Sequence, residues 1–516
     1  MNSKNLRQIN FLSATAILMY LALFKFLLHF IVNANGAYGF FRDEFYYISC
    51  SDHLAFGYVD QPPFSIFMLA VSRFFLGDSL LAIRFLPALL GALTVFIAGK
   101  ITKELGGGMF AQTTAAVCMI IAPIYLSFNT YYSMNSFDNF FWAISFYLLV
   151  LIIKNDKKNL WYLLGLIIGL GLMNKISILW LGAGLLAGLV LTKNRMLLKT
   201  KEPWIAFLIA AIIFVPHIIW QFANDFPTLE FIRNATQDKY VIQSPIDFLS
   251  SVFLLENPAT VLIWILGIYY FLFNEKGKQF RLLGVLFLTV LIILLLNPAS
   301  KAEYLASAFP ILFAGGSILI EKFFERKKIL WMRFVVYFLL GTAIWVAPLA
   351  MPVLPVETYI KYADFFGMKP STSEKKELNE LPQFFADMFG WDVMTKTVAK
   401  VYNSLSPEEK QNSVIYCENY GEAGAINFLG KKYDLAPAIS GHNNFYLWGP
   451  IRKNAKVVIV LTNNGKSLEK SFNEVIPADT IRTKYSMPYE NNKPIWICKH
   501  PKKPLAELWQ HTKHYD

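Results

Sequence analysis

Residues 41–63 read FRDEFYYISCSDHLAFGYVDQPP and place Asp43, Glu44, Asp52, His53 and Asp60 among aromatic residues in an otherwise apolar part of the chain. An apolar run of about twenty residues precedes this stretch, and a second apolar run follows it. A run of eighteen or more apolar residues is long enough to cross a bilayer as a helix. The stretch is therefore predicted to be a loop at the membrane surface, where charged side chains usually point into a polar cavity.

The composition of the whole chain is typical of a polytopic membrane protein. Its 516 residues are 55% hydrophobic and 16% charged, against roughly 25% charged in soluble domains. The net charge of +12 does not indicate nucleic acid binding, because membrane proteins concentrate Lys and Arg in cytoplasmic loops and no recognition motif accompanies the charge. The predicted spans are 11–33, 83–103, 109–127, 136–153, 160–173, 176–192, 204–222, 258–273, 281–297, 303–321 and 333–351.

The distribution of Lys and Arg between the loops predicts the orientation. If the N-terminus is cytoplasmic, the loops at 154–159, 193–201, 274–281 and 321–333 are also cytoplasmic, and together they hold fifteen Lys or Arg residues. The opposite loops are poor in basic residues, so the asymmetry favours this orientation. An odd number of spans then places the C-terminal segment outside the cytoplasm.

The C-terminal segment, residues 352–516, has no hydrophobic span and mixes charged residues with short apolar runs. A helix is predicted over 377–405, and a second at Pro407 with Ser406 as its cap. The runs SVIYC, KVVIVLT and KPIWIC predict strands, with a helix in ENYGEAGAINFLG, so this segment is predicted to be an α/β domain. Cys417 and Cys498 either form a disulfide there or remain two buried thiols.

The polar residues at the predicted outer ends of the spans share one side of the membrane. Each has an ordinary explanation: a solvated acidic pair, a turn aspartate, a helix cap, or lysines that reach the interface. These explanations do not account for acids and bases gathered on one side only. A lipid-linked phosphosugar does, since it requires cations for the phosphate, a carboxylate base for the acceptor hydroxyl and an apolar groove for the lipid. The residues concerned are Asp43, Glu44, Asp60, Asp138, Lys175, Lys301 and Tyr304.

The stretches RDEFYYI, HLAFGYVDQPP, NSFDNFFW, GLGLMNKISIL and KAEYLASAFPIL, in this order, resemble the bacterial branch of the dolichyl-phosphate-mannose protein mannosyltransferase family. This family-39-like group includes the lipid A aminoarabinose transferase. The resemblance implies a GT-C fold with about 11–13 transmembrane helices and a C-terminal extracytoplasmic α/β domain. It also implies an inverting transfer of a sugar from a polyprenyl monophosphate to a lipid A, other glycan or protein acceptor, at the outer face of the bacterial cytoplasmic membrane.

The resemblance also implies roles for individual residues. Asp43 corresponds to the general base, with Glu44 beside it, and Asp60 to an acid that holds a metal in one relative. No cofactor is certain, and a divalent cation at Asp60 is left open. One departure is Gln61, where the aminoarabinose transferase carries a lysine, so phosphate neutralisation is expected from other cations. The residues expected around the donor phosphate and lipid-linked sugar are Arg42, Gln61, Asp138, Lys175, Arg233, Lys301 and Tyr304.

The expected organisation is a transferase domain at 1–351, with its first external loop at 34–82, followed by the domain at 352–516. In the latter, the side chains of His442, Asn443, Asn444 and Trp448 suit carbohydrate and are predicted to recognise the acceptor, unless they form a structural loop. The expected partners are the polyprenyl-phosphate sugar, a glycolipid, glycan or protein acceptor, and membrane lipids, but no nucleic acid. The alternative function is a membrane transporter or flippase for a lipid-linked sugar, although no inverted repeat is visible.

Overall fold

The structure is a computed structural model that describes residues 12–516. Position 11, where the first predicted span begins, lies outside the described residues. Residues 14–350 form a succession of helices, α1 (Ala14–Ala34), α2 (Arg42–Asp52), α3 (Phe64–Leu76), α4 (Leu80–Ile83), α5 (Phe85–Glu104), α6 (Met109–Ile121), α7 (Pro123–Phe128), α8 (Met134–Asn155), α9 (Leu160–Leu172), α10 (Ile178–Leu191), α11 (Glu202–Ala223), α12 (Pro227–Asn234), α13 (Pro245–Leu255), α14 (Val261–Leu272), α15 (Arg281–Leu296), α16 (Phe309–Lys327), α17 (Met332–Gly341) and α18 (Ala347–Ala350).

Each predicted span corresponds to helix, but the helices differ in length. Within residues 12–516, six helical stretches are long and apolar enough to cross a membrane, and eight if two bent pairs are each counted as one span. Shorter apolar helices such as α6 and α9 have 13 residues each. A helix of that length spans about 20 Å, less than the roughly 30 Å of a hydrocarbon core. Pro123 contributes to this division because α6 ends just before it and α7 begins at it.

A short apolar helix follows residues 41–63. This helix, α3, covers residues 64–76 and exposes Phe67, Phe74 and Phe75. Gly77 follows it with φ of +80°, a conformation that ends a helix easily only for glycine. The chain then turns into α4 and the long α5, which leads away from the polar loops.

The C-terminal region is an α/β unit, as predicted. Its five-stranded sheet has the order β2-β1-β3-β5-β4, in which β1 pairs in parallel with β2 and β3, and β5 pairs antiparallel with β3 and β4. Its elements are α19 (Val356–Phe365), α20 (Gln383–Ala386), α21 (Trp391–Asn403), α22 (Pro407–Gln411), β1 (Ser413–Cys417), α23 (Tyr420–Leu429), β2 (Ala438–Ser440), α24 (Asn444–Trp448), β3 (Val457–Leu461), α25 (Gly465–Leu468), β4 (Phe472–Ile481), β5 (Lys493–Pro501) and α26 (Leu505–Trp509).

The three predicted strands are β1, β3 and β5, and Ser406 caps α22 as predicted. Two strands were missed: β2 has only three residues, and β4 is an exposed edge strand with a register shift at Pro477. The helix predicted over 377–405 is divided into α20 and α21 by Gly390, whose φ is +93°. Cys417 and Cys498 are both free and buried, on strands separated by β3.

Candidate active site

Asp43 lies in the first turn of α2 and keeps 35% of its side chain exposed. Tyr420 Oη donates a hydrogen bond to Asp43 Oδ1 at 2.8 Å, and Arg42 Nε lies 3.4 Å from the same oxygen. Among the described residues, no hydrogen bond reaches Asp43 Oδ2. The second oxygen is therefore available to a substrate hydroxyl, which is the geometry that a general base requires.

Glu44, predicted to share the catalytic role of its neighbour, is instead a fully buried structural anchor. Arg84 Nε and Nη2 each donate to its carboxylate at 2.8 Å. The backbone N–H groups of Phe41 and Tyr132 also donate to it, each at 2.8 Å. The four donors join the start of α2 to α5 and to the loop before α8 through the Glu44 carboxylate. They also fill the hydrogen-bonding positions of its two oxygens, so none is left to accept a hydrogen bond from a substrate.

The C-terminal region completes the surroundings of Asp43 through α23, which packs directly on α2. A Cβ at Gly424 would lie 2.8 Å from the carbonyl oxygen of Phe45, and one at Gly421 would lie 2.4 Å from Cγ of Arg42. Both distances are shorter than normal contacts, so only glycine allows this approach. The close packing brings Tyr420 to Asp43. The spacing of the two glycines in YGEAG was the available signal, but the sequence did not indicate the partner helix.

Arg42, predicted to bind the donor phosphate, is buried among acids and a tyrosine. Its Nη1 donates to Tyr489 Oη at 2.6 Å. Asp387 Oδ2 lies 3.8 Å from Nε, and Glu374 Oε1 lies 3.9 Å from Nη2. Since its charge is balanced by these acids and by Asp43, Arg42 joins α2 to the C-terminal region and does not present a free cation to a phosphate.

The two acids around Arg42 titrate differently. Burial alone would raise the pKa of Glu374, but Lys239, Arg42 and Lys301 outweigh it and hold that pKa at about 2. Burial raises the pKa of Asp387, because the nearby Arg42 only partly offsets the loss of hydration and the acids Asp43 and Glu374 add to it. Glu374 is thus the ionised partner of the nearby cations. Neither acid was singled out in the sequence.

Lys175, Lys301 and Tyr304, all predicted from the sequence, lie in one group. Lys175 Nζ donates to Asn135 Oδ1 at 2.7 Å and lies 5.1 Å from the centre of the Tyr304 ring. Lys301 Nζ lies 4.8 Å from the centre of the Tyr240 ring. Burial lowers the pKa of Lys301, but nearby acids including Asp43 outweigh it and raise that pKa, so the ammonium stays charged.

Lys239 is a further cation of this group that sequence reasoning missed. It ends a π-helical turn at Ala235–Lys239, and its Nζ lies 3.8 Å from Glu374 Oε1. The adjacent Tyr240 forms an isolated antiparallel bridge with Glu374, which joins this loop to the C-terminal region. Nothing in the surrounding TQDKY stretch distinguishes this lysine from a solvated one.

Asp138 is buried and contacts other side chains of the protein. It is 3% exposed and accepts hydrogen bonds from Ser177 Oγ at 2.9 Å and Ser307 Oγ at 3.0 Å. Its Oδ2 lies 3.9 Å from Lys175 Nζ. Ser133, not Asp138, caps α8. The predicted contact of Asp138 with the donor is therefore replaced by a supporting one, which holds Lys175 and the end of the 302–308 turn in place.

Asp60 accepts a hydrogen bond from Tyr46 Oη at 2.9 Å, and burial raises its pKa to about 6. The metal predicted at Asp60 requires further ligands. Within residues 12–516, the one group of three His, Cys, Asp or Glu side chains with the spacing of a metal site does not include Asp60. The donor set does not fit a metal ion held by the protein at this position.

Gln61 is fully buried, and neither its amide nitrogen nor its amide oxygen has a hydrogen-bond partner among the described residues.

The loop predicted to recognise the acceptor packs instead against the first external loop. Asn444 Oδ1 accepts hydrogen bonds from Tyr46 Oη at 3.0 Å and from the Val59 N–H at 2.7 Å. Trp448 stacks on His53 with ring centres 4.3 Å apart. These contacts favour the alternative of a structural loop, because the polar atoms are used within the protein.

The other two members of that loop are also buried: His442 and Asn443 are 8% and 1% exposed. Arg233, predicted near the phosphate, is an exposed residue of α12. Its role therefore stays a prediction.

The comparisons with known proteins agree with this fold. Residues 60–220 match the family model for dolichyl-phosphate-mannose-protein mannosyltransferase. Lipid A galacturonosyltransferase RgtD of Rhizobium johnstonii is 22% identical over 285 residues, which are 54% of this chain and 59% of that protein. The match covers less than two thirds of that relative, so its activity does not pass directly to this chain.

Solved structures show the fold. The crystal structure of ArnT from Cupriavidus metallidurans bound to undecaprenyl phosphate superposes with a TM-score of 0.60 and 13% identity, over 93% of this chain and 97% of ArnT. The oligosaccharyltransferase of Archaeoglobus fulgidus gives a TM-score of 0.51 and 12% identity, over 89% of this chain and 71% of that one. The chain therefore has the fold of GT-C membrane glycosyltransferases, and the fold class and the resemblance predicted from its motifs are confirmed.

Proposed function

We propose that this protein is an inverting glycosyltransferase that moves a sugar from a polyprenyl monophosphate to an acceptor hydroxyl. The observation that carries the proposal is Asp43, an accessible carboxylate in the first turn of a helix, with one oxygen held by Tyr420 and the other unoccupied among the described residues. Asp43 contributes to the raised pKa of Lys301, and six helical stretches within residues 12–516 are long and apolar enough to cross a membrane. A base beside cations and a lipid phase is what this reaction needs.

The proposed reaction is a single displacement. Asp43 Oδ2 takes the proton of the acceptor hydroxyl while the hydroxyl oxygen bonds to the anomeric carbon of the sugar. The bond from that carbon to the phosphate oxygen breaks, and the electron pair leaves with the polyprenyl phosphate. Because the oxygen enters opposite to the leaving group, the configuration at the anomeric carbon inverts.

Charge develops on the phosphate as it leaves, and the group formed by Lys175, Lys239 and Lys301 is proposed to stabilise it. All three are partly or largely buried, so their charges act with little screening by water. Glu374 contacts Lys239 at 3.8 Å and is proposed to hold that side chain in position when no donor is bound. No step is assigned to a metal ion, since the ligands around Asp60 do not fit one.

The acceptor is proposed to be a glycolipid, with other glycans and protein as the alternatives. The support is the name of the curated relative, a lipid A galacturonosyltransferase. The site is proposed to face outward from a bacterial cytoplasmic membrane, with the N-terminus inside and residues 352–516 outside. The support is the excess of Lys and Arg in the predicted cytoplasmic loops. A periplasmic reporter fused after residue 516 should be active, whereas activity of a cytoplasmic reporter there would contradict the orientation.

Transport of a lipid-linked sugar was the alternative function. The family model and the relatives described above are glycosyltransferases, which favours transfer over transport. A base at Asp43 also distinguishes the two, because a transporter has no need to deprotonate an acceptor.

The test replaces Asp43 by Asn, with Asp52→Asn as a matched control at the other end of the same helix. Asp52 is 45% exposed and forms a surface ion pair with Arg73. Each variant is expressed in a strain that lacks the gene, and the lipids and glycans of the resulting strains are compared by mass spectrometry. Asp43→Asn should fold and lose the sugar modification that the wild type restores, while Asp52→Asn should retain it. A normal level of modification with Asp43→Asn would refute the base assignment.

A further inference from the structure

Three side chains lie close together, one from the loop before α24 and two from the segment that follows α26. His442, His514 and Asp516 each offer one ligand atom, and these atoms all lie within 4.8 Å of one another. We propose that they bind one divalent transition-metal ion of the zinc class and that this ion fixes residues 510–516 behind the active site. The proposal does not depend on the glycosyltransferase function, because its tests measure bound metal and stability.

The distances fit such an ion. His442 Nε2 lies 3.5 Å from Asp516 Oδ1 and 2.9 Å from the carbonyl oxygen of Asp516. Ligands at zinc–nitrogen and zinc–oxygen bond lengths in a tetrahedron lie about 3.3 to 3.5 Å from each other. Two imidazoles and a carboxylate suit zinc and its neighbours, whereas magnesium and calcium prefer oxygen ligands throughout.

The surroundings of His514 favour a bound cation. Its Nδ1 lies 2.9 Å from the carbonyl oxygen of Thr512, and its Nε2 lies 3.1 Å from that of Glu418. A neutral imidazole donates through one nitrogen only, so the other would direct its lone pair at a carbonyl oxygen. A metal ion on that nitrogen would also contact the carbonyl oxygen that the nitrogen faces, so this oxygen would serve as a further ligand. The remaining N–H then donates to a backbone carbonyl, the usual outer contact of a metal-bound histidine.

His442 is able to act as the second imidazole ligand. Its ring is buried, and its Nδ1 has no hydrogen-bond partner within residues 12–516. No contact at Nδ1 therefore fixes the tautomer, and Nε2 lies close enough to both Asp516 oxygens to share an ion with them. The hydrogen-bonding capacity of this buried ring nitrogen is therefore not used by any residue that the structure describes.

The backbone brings the two histidines together without a metal. His442 and His514 form an isolated parallel bridge, in which the His514 N–H donates to Gly441 O and the Asn443 N–H donates to His514 O, both at 3.0 Å. A Cβ at Gly441 would lie 2.0 Å from the carbonyl oxygen of Thr512, so the two segments approach closely only because this residue is glycine. The ligands are thus preorganised.

The ion would hold in place side chains that contact the candidate active site. The His442 ring packs on Tyr420 with centres 4.5 Å apart, and Tyr420 donates to Asp43. The same tail also reaches α12, since Lys513 Nζ lies 2.7 Å from Glu230 Oε2. A metal at this point therefore ties the chain segment 510–516 to both the C-terminal region and α12. His442, His514 and Asp516 are positioning residues in this proposal, since none contacts the reacting atoms.

The experiment uses the full chain in detergent, stripped with a chelator and then given zinc sulfate and desalted. Metal analysis should find about one zinc per chain, and zinc should raise the temperature of thermal unfolding. His514→Gln and Asp516→Asn should lose most of the bound zinc and its stabilisation. His511→Gln is the matched control, because His511 is an exposed histidine of the same tail outside the group.

The metal-free variants are compared with the metal-free wild type by circular dichroism and gel filtration, so that loss of metal is separated from loss of folding. Zinc bound equally by the wild type and His514→Gln would overturn the proposal. So would the absence of bound zinc in the folded wild type. An equal stabilisation by calcium or magnesium would overturn the assignment of imidazole ligands.

Discussion

The change Glu44→Gln separates the two acids of the DE pair, because the structure predicts a loss of stability and not a loss of chemistry. The side chains of Glu44 and Arg84 are 0% and 1% exposed, and they form a two-pronged ion pair. The amide of Gln has the same shape as the carboxylate but carries no charge. It also offers one acceptor oxygen where the wild type offers two.

The size of the effect follows from the four donors. Arg84 Nε and the Tyr132 N–H share one oxygen, and Arg84 Nη2 and the Phe41 N–H share the other. In the Gln variant, an NH2 group faces two donors, so two hydrogen bonds are lost and Arg84 keeps an unbalanced buried charge. Breaking a buried ion pair by removing one partner reduces the free energy of unfolding by about 3–5 kcal/mol.

The assay is thermal unfolding in detergent, followed by tryptophan fluorescence, together with sugar transfer measured per folded molecule. Glu44→Gln should unfold at a clearly lower temperature and yet retain turnover in the molecules that remain folded. The double variant Glu44→Gln with Arg84→Gln should be more stable than the sum of the single changes predicts, since it leaves no unbalanced charge. A Glu44→Gln protein that is as stable as the wild type but inactive would refute this reasoning and return Glu44 to the catalytic group.

Three further predictions concern the neighbouring elements. Burial raises the pKa of Asp60 to about 6, so the folded state binds the Asp60 proton more tightly than the unfolded state does. The free energy of unfolding should therefore fall by about 3 kcal/mol as the pH rises from about 4 to 7. Asp60→Asn should remove this part of the pH dependence of unfolding. Gly424→Ala should lower stability by about 1–3 kcal/mol and reduce activity, as measured by thermal unfolding and transfer assays, whereas Gly182→Ala, with nothing within 4 Å, should not. Tyr420→Phe should lower kcat about tenfold with little change in KM, because it removes a charge-assisted hydrogen bond to Asp43; an unchanged kcat would show that this contact does not orient the base.

The membrane helices could be predicted because their signal is local. A hydrophobic run identifies its own helix, and the polar residues at its end identify the loop that follows. Lys175 and Tyr304 were brought into one group on this basis, and the structure places them 5.1 Å apart. Helix length was less well predicted, since hydropathy continues through breaks such as the one before Pro123.

The different exposure of the Asp43 and Glu44 side chains could not be predicted from the sequence. Adjacent residues on a helix point about 100° apart, so the Asp43 side chain stays partly exposed while that of Glu44 is buried in the protein. Which of them turns inward depends on Arg84, forty residues away, and on the N–H of Tyr132, eighty-eight residues away. The sequence contains all of these groups but gives no measure of their distance.

The C-terminal region shows the same limit more strongly. Its sequence predicted an α/β unit that recognises acceptor, whereas the structure places Tyr420, Glu374 and Asp387 around Arg42 and Asp43. Tyr420 lies 377 positions from Asp43 in the chain. Arg42 is buried in this arrangement, and a buried guanidinium without these acids would carry an uncompensated charge. The C-terminal region is therefore part of the candidate active site, because the helix that carries the proposed base depends on it for both packing and charge balance.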